Sequence, residues 1–259
     1  MGRISAVESP WLTRRMLWLW KLFGEIDEQS TEEREFESLR AFFTRGLKPG
    51  ARPIDQRPGL AISPCDGITG AYGQIEKGAA MQIKGMPYSV GSLLKRKDLA
   101  KEFEGGHFLT IRLTAGMYHR FHAPMNMRIT RVIHIQGDSW NVNPPSLKRV
   151  PALFCRNTRA ILECEGFRDE HTSFRFLIVA VGAILVSSIR LHGLNETLSL
   201  KNRVDSEWTG NWYAEKGQEL GWFEQGSTLV LLTPNQMNRL DCVETGTPLK
   251  MGQPLFRLK

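Results

Sequence analysis

The sequence predicts an α+β fold, with a β-rich main domain and helices gathered mainly in the N-terminal part. Two observations carry that prediction. From residue 60 onward, short runs that alternate or are dense in β-branched residues recur between Gly, Pro, Asn and Asp. Helical patterning is strongest in two segments, both within the first 105 residues. With 259 residues, 41% of them apolar and 24% charged, the chain can bury a sizeable core and is not of disordered composition.

Residues 10–23, PWLTRRMLWLWKLF, read as a helix with an apolar face of Trp11, Leu12, Met16, Trp18, Leu19, Leu22 and Phe23. Thr13, Arg14 and Lys21 lie opposite, with Leu17 misplaced among the polar positions and Arg15 among the apolar ones. Such a helix either packs on the protein's own core or lies in a membrane interface, where Trp, Arg and Lys are favoured. The acidic stretch 25–37 holds Ser30-Thr31-Glu32-Glu33, the pattern of a helix start. A turn-rich segment from Phe42 to Pro53 is the entry to the main domain. The expected division is therefore a helical segment over residues 1–45 and a main domain over residues 46–259.

Within the main domain, residues 89–105 predict a helix stopped by Gly105-Gly106. Strands are predicted at 107–113, 127–135, 159–164, 176–186 and 227–233. The apolar run 176–186 is far short of the ~20 residues that cross a bilayer, so it reads as buried strand. No secretory signal pattern is visible at the N-terminus.

The formal charge of +7 suits an anionic partner: nucleic acid, an acidic membrane surface or an anionic substrate. Charge alone does not choose among them. Cys65, Cys155, Cys164 and Cys242 show neither a CxxC pair nor zinc-ligand spacing, so reduced, unpaired thiols are expected.

Four short stretches carry candidate chemistry. Ser63-Pro64-Cys65-Asp66-Gly67 reads by itself as a turn. Met117 to Pro124 puts His119 and His122 three residues apart, so that on a helical turn they would share a face, but no further ligand stands at metal-site spacing, and no metal is expected. Lys216 to Phe223 reads as a loop and a short strand feeding Gly226-Ser227-Thr228, itself an ordinary turn motif before an apolar strand. These pieces combine chemically if Ser227 attacks the Gly226 carbonyl. A glycine there frees the backbone for a strained approach, and an imidazole aligned by an aspartate can take the hydroxyl proton. His122 or His119, with Asp66, supplies those parts. Elimination of the resulting ester would cut the chain and turn Ser227 into a pyruvoyl ketone, an electron sink for decarboxylation of an amine held as a Schiff base. A conventional serine hydrolase is disfavoured, because the Gly-x-Ser-x-Gly elbow is missing.

Taken together in order, the landmarks are specific: Phe42-Phe43-Thr44-Arg45 with Leu47 to Pro53, Ser63 to Gly67, Lys84-Gly85 with Tyr88-Ser89, Tyr118 to Pro124, Gly137-Asp138, and Gly226-Ser227-Thr228. They resemble the phosphatidylserine decarboxylase family over most of the chain after residue 40. The resemblance implies a self-cleavage triad of Asp66, His122 and Ser227, with His122 as general base and Asp66 orienting it. It implies cleavage between Gly226 and Ser227, a small chain of residues 227–259 and a covalent pyruvoyl cofactor derived from Ser227. His119 matches the family histidine associated with the decarboxylation step. The implied partners are phosphatidylserine in a membrane and the two chains of the processed proenzyme, with no nucleic acid and with homodimerisation left open. The implied place is the cytoplasmic face of the cell membrane, as a peripheral protein, which favours membrane docking for residues 10–23. Two departures stand out: Cys65 where the family usually has Ala, and Gln225 where Leu commonly precedes the Gly-Ser-Thr. Two other readings remain: a pyruvoyl decarboxylase of another amino acid or lipid, and a non-enzymatic lipid-binding protein in which Ser227 is a turn residue. Arg120 and the cluster Lys95-Arg96-Lys97 are phosphate-binding candidates by charge, though a solvated surface explains the cluster as well.

Overall fold

The computed structural model describes residues 7–21, 27, 30–32, 35–169, 171–183, 188–194, 197–198, 204–224, 226–241 and 243–259, with the side chains of Trp20 and Lys21 left aside. Leu22, Phe23, Ile184 to Val186, Gln225 and Cys242 lie outside the described residues.

In chain order the elements are α1 (Pro10–Lys21), α2 (Leu39–Phe43), β1 (Leu60–Ile62), β2 (Gly67–Gln74), β3 (Ala79–Ile83), β4 (Met86–Ser89), α3 (Val90–Leu94), α4 (Lys97–Lys101), β5 (His107–Leu113), β6 (Arg120–His122) and β7 (Met127–Ile135). There follow α5 (Pro144–Arg149), α6 (Leu153–Arg156), β8 (Arg159–Phe167), β9 (Ser173–Gly182), β10 (Ile189–Leu191), β11 (Thr197–Leu198), β12 (Ser206–Ala214), β13 (Glu219–Phe223), β14 (Ser227–Thr233), β15 (Met237–Arg239), β16 (Pro248–Leu249) and β17 (Pro254–Leu258). The fold is α+β and β-rich, as the sequence predicts.

An eight-stranded sheet organises the molecule, in the order β12-β7-β8-β9-β14-β5-β2-β16. Each neighbouring pair is antiparallel. Its inner strands read as continuous apolar runs because both faces are covered. Leu229 and Leu231 of β14 enter one core with Ile178 and Ala180 of β9 and Leu109, Ile111 and Leu113 of β5. Val230 and Leu232 point the other way, into a second core with Leu177, Val179 and Val181. The second core is closed by α3 to α6 and the β3–β4 hairpin, through Leu93, Leu94, Leu99, Leu147, Leu153 and Tyr88. The first is closed by two small sheets, β11-β10-β13-β6 and β1-β17-β15. Ser227 therefore starts an inner strand that is hydrogen-bonded on both sides and faces the first core.

Several local expectations change. The helix expected over 89–105 breaks at Lys95, which adopts a left-handed conformation with φ 50° between α3 and α4. Leu93, Leu94, Leu99 and Phe103 would spread around more than half of a straight helix, and the break lets all of them reach one core. The helix start expected at Ser30 is not there: Thr31 bridges to Leu47, and Ser38 caps α2 by accepting from the Ala41 N–H at 3.1 Å. Helices α5 and α6 were not anticipated, although Asn143 before Pro144 is a cap followed by a proline at the first turn.

The N-terminal helix forms as expected, with its faces shifted. Among the described residues of α1 Thr13 and Leu17 are buried, and Leu17 packs with Phe36, Leu39 and Phe42, with Met16 partly buried beside it. Trp11 and Trp18 are 64% and 61% exposed. The leucine that looked misplaced among polar positions is the one that anchors the helix.

Candidate active site

Three adjacent strand ends bring the candidate residues to one edge of the large sheet. Asp66 immediately precedes β2, Leu113 ends β5 and Ser227 begins β14, with Ser227 directly opposite Leu113 and Gly182. At ~4.8 Å per strand, β2 runs about 10 Å from β14. From Leu113 the chain turns through Thr114 to Met117, closed by a Met117 N–H to Thr114 C=O bond of 3.0 Å, and presents His119. The Phe223 N–H then donates to the His119 carbonyl at 2.9 Å. His119 is thus tied to the segment that enters Ser227 and follows closely on the strand that pairs with Ser227.

Within this ring two polar atoms are buried without a hydrogen-bond partner among the described residues: Ser227 Oγ and His119 Nε2. His119 is fully buried, its Nδ1–H donates to the Met117 carbonyl at 2.8 Å, and the edge of Phe43 meets its ring at 5.0 Å between centroids. That donation assigns the tautomer, because a carbonyl only accepts, and leaves a lone pair on Nε2. Burial lowers the His119 pKa from 6.5 to about 4, against the Met117 hydrogen bond and the Asp66 charge. The imidazole is therefore neutral at physiological pH. Native interiors seldom leave such atoms unpaired, so each calls for an explanation in the chemistry of the site.

His122 is held differently. Its Nδ1–H donates to the Gly217 carbonyl at 2.9 Å, and its Nε2 receives the Tyr118 hydroxyl at 3.0 Å. Burial lowers its pKa too, opposed by the Gly217 bond and the charges of Glu219 and Asp66. The hydrogen bond expected from Asp66 to His122 is replaced by others. The Asp66 carboxylate takes a fork from Arg52, at 2.9 Å from Nε and 2.6 Å from the terminal nitrogen, and the Met251 N–H at 2.9 Å. Asp66 and Arg52 are both almost wholly buried, and Lys250 stands 3.6 Å from the same carboxylate. The loop carrying Asp66 does meet His122 through the backbone, His122 N–H to Pro64 C=O at 2.7 Å. Asp66 thus reaches both imidazoles by its charge, and His122 also through its loop.

Arg45 and Phe43 seal the site from α2. Arg45 is buried, donates to the carbonyls of Phe42 and Gly116 at 2.9 Å each, and lies over the Phe42 ring. Burial lowers its pKa to about 10. Arg52 and Tyr118 are the site residues that sequence reasoning missed. Arg52 lies in the turn-rich entry segment and Tyr118 beside the histidines, but neither spacing says that one grips Asp66 and the other covers His122.

Gly226 makes no steric demand in the uncut chain: a Cβ there would meet nothing within 4 Å, and its φ is not in the left-handed region. The uncut backbone therefore gives no reason of its own for a glycine at this position. Cys65 is fully buried in the first core, and burial raises its thiol pKa well above the ordinary value, so it packs as a small apolar group beside Asp66. In the Lys95-Arg96-Lys97 cluster two cations are ion-paired: Lys95 with Asp205, and Arg96 with Asp98 and Glu163.

Comparison with known proteins identifies the family. The phosphatidylserine decarboxylase family profile matches residues 39–257. A phosphatidylserine decarboxylase proenzyme of Pseudomonas fluorescens is 36% identical over 239 residues, covering 89% of this chain and 81% of the relative. Those of Brevibacillus brevis and Bordetella pertussis are each 34% identical, covering 100% and 98% of this chain and 92% and 88% of the relatives. With so long a match and so much of each relative spanned, this chain belongs to the phosphatidylserine decarboxylase family.

Proposed function

We propose that the chain is a proenzyme that cuts itself between Gly226 and Ser227, converts Ser227 into a pyruvoyl group and decarboxylates phosphatidylserine to phosphatidylethanolamine. The observation that carries this reading is the buried, unpartnered Ser227 Oγ at the head of an inner strand whose entering segment is bonded to His119 through the backbone. In self-cleavage the Ser227 oxygen attacks the Gly226 carbonyl carbon, and the peptide nitrogen becomes the serine amine. Elimination then releases the Gly226 carboxylate, and hydrolysis of the dehydroalanine left behind releases ammonia. Both the small and the large chain would stay assembled, because β14 is bonded to β5 and β9 while β16 and β17 pair with β2 and β1.

His122 is assigned the role of general base. Its Nε2 becomes available when the Tyr118 hydroxyl swings away, and the Gly217 carbonyl keeps its tautomer. Asp66, gripped by Arg52, supplies negative charge that favours the imidazolium. The ketone formed at residue 227 condenses with a primary amine and accepts the electron pair left by carbon dioxide. His119 is assigned the relay of a proton to that carbon, its Nε2, a lone pair at rest, first taking the proton from a water molecule, and Phe43 and Arg45 limit the access of bulk water.

Residues 1–45 are assigned as the membrane-docking segment and residues 46–259 as the decarboxylase domain. Trp11, Trp18 and Leu19 face outward with Arg14 and Arg15 while Leu17 holds the helix to the body, the arrangement of an interfacial helix. Among the described residues no helix is long and apolar enough to cross a membrane. Peripheral attachment at the cytoplasmic face of the cell membrane follows as part of the proposal.

Intact-protein mass spectrometry of wild type beside Ser227→Ala tests the central step. The expected result is two wild-type chains split after Gly226, the smaller carrying a pyruvoyl mass, and one uncut Ser227→Ala chain. A wild type that stays intact on prolonged incubation would refute self-processing. His122→Gln is expected to stop cleavage, and His119→Gln to permit it while abolishing decarboxylation; the opposite pattern would exchange the two roles.

A further inference from the structure

We infer that a basic cavity beside this site is the subsite for the phosphodiester of the lipid headgroup, an assignment that rests on the decarboxylase reading above. The cavity is lined by Arg40, Thr44, Arg120, Arg190, Trp222 and Glu224 and has a volume of about 240 Å³. Pockets for drug-sized ligands start near ~300 Å³, so this one fits a headgroup and not acyl chains.

Its position follows from strand register. In the small sheet Arg190 of β10 stands opposite Trp222 of β13, and Trp222 stands opposite Arg120 of β6. Side chains directly opposite across neighbouring strands share a face, so the three form a row. The next residues along, Phe121, Ile189 and Phe223, enter the first core, which leaves the row on the other face. Arg40 of α2 completes the cavity and is ion-paired with Glu224. Arg120 follows His119 in the chain, Glu224 lies three residues before Ser227, and Thr44 of the lining follows Phe43, whose ring meets His119, so the strands and the turn that line the cavity lead into the candidate site.

The charge is suited to a phosphodiester. Three guanidiniums line the cavity against one carboxylate. Glu224 pairs with Arg40 and stands 3.8 Å from Arg190, and Arg120 is fixed by the Thr44 carbonyl at 2.6 Å and by Glu219 at 3.1 Å. Guanidinium groups bind tetrahedral oxyanions through paired N–H donors. Phosphatidylserine offers two anions, a carboxylate and a phosphodiester. Decarboxylation consumes the charge of the carboxylate, so arginines gripping it would stabilise the ground state and slow the reaction. The phosphodiester keeps its charge from substrate to product. Arginines holding it bind substrate and transition state alike, which lowers KM without lowering kcat.

The test uses the processed enzyme with sn-glycero-3-phosphoserine, a soluble headgroup that needs no membrane. Arg190→Gln and Arg40→Gln are expected to raise KM about tenfold or more, the loss of one charge-assisted hydrogen bond. Their kcat should stay within about twofold of wild type and their cleavage by mass spectrometry should be complete. Arg190→Lys should recover part of the loss. Unchanged KM in both Gln variants, or a fall confined to kcat, would overturn the assignment. Calorimetric titration of Ser227→Ala with inorganic phosphate and with sn-glycero-3-phosphoserine gives a reading independent of turnover and of the variants' folding. Saturable binding of the glycerol diester is expected; no binding, or preference for free phosphate, would overturn the inference. A processed wild type that decarboxylates neither the soluble headgroup nor the lipid would instead overturn the proposed function, and the titration would still decide the subsite.

Discussion

His119→Gln, made in the uncut Ser227→Ala chain, should flatten the acid side of the stability profile. His119 is fully buried, and its folded pKa of about 4 lies below the 6.5 of an exposed imidazole. As pH falls, the unfolded chain therefore takes up this proton first. Stability is fully present above pH 6.5 and is lost as pH falls towards 4. Between pH 7.5 and pH 5 the loss from this one group is about 2 kcal/mol, approaching a limit of about 3 kcal/mol below pH 4. For a chain of this size that corresponds to a drop of about 4–8 °C in Tm. Thermal unfolding of both chains at several pH values between 7.5 and 5 reads the effect as a difference of slopes. His107, His122 and His134 also have lowered pKa values but are common to both chains, so their contribution cancels in the difference. Parallel profiles would show that His119 can protonate freely in the folded chain, and the buried lone pair would cease to describe the site.

Other perturbations follow from the same contacts. Arg52→Leu leaves the Asp66 carboxylate buried with only Lys250 and the Met251 N–H, and should cost about 3 kcal/mol. Adding Asp66→Asn should restore much of that loss in thermal unfolding, and no restoration would mean that Arg52 acts elsewhere. Tyr118→Phe frees His122 Nε2 and should quicken self-cleavage up to about fivefold, the worth of one neutral hydrogen bond; arrested cleavage would mean that the hydroxyl relays the proton. Trp11→Ser and Trp18→Ser should change unfolding by less than about 0.5 kcal/mol, since both side chains are exposed. Each should weaken binding to anionic vesicles about tenfold, and undiminished sedimentation with vesicles would remove α1 from the docking surface.

The strands were legible in the sequence because their pattern is local. Residues 107–113, 127–135 and 227–233 were predicted with the boundaries that β5, β7 and β14 adopt, since turn formers bound each run. Ser227, His119 and His122 were legible because reactive groups beside Gly and Pro make recognisable short motifs. Local pattern failed where distant packing decided the outcome. A continuous helix over 89–105 would have left part of its apolar surface outside the core, and tertiary burial bent the chain at Lys95.

The sequence by itself determined the fold class, the positions of five inner strands of the large sheet and the candidate reacting groups, because these depend on residue type and near-neighbour spacing. Only the tertiary structure decided how those groups are held. It gave Asp66 to Arg52 rather than to His122, covered His122 with Tyr118, left His119 Nε2 and Ser227 Oγ without partners among the described residues, and turned Trp11 and Trp18 outward. It also gathered Arg40, Arg120 and Arg190, which lie up to 150 residues apart, around one cavity. Hydrogen-bond partners and buried charges are set by which strands lie side by side, and that depends on the closing of a large sheet across the whole chain.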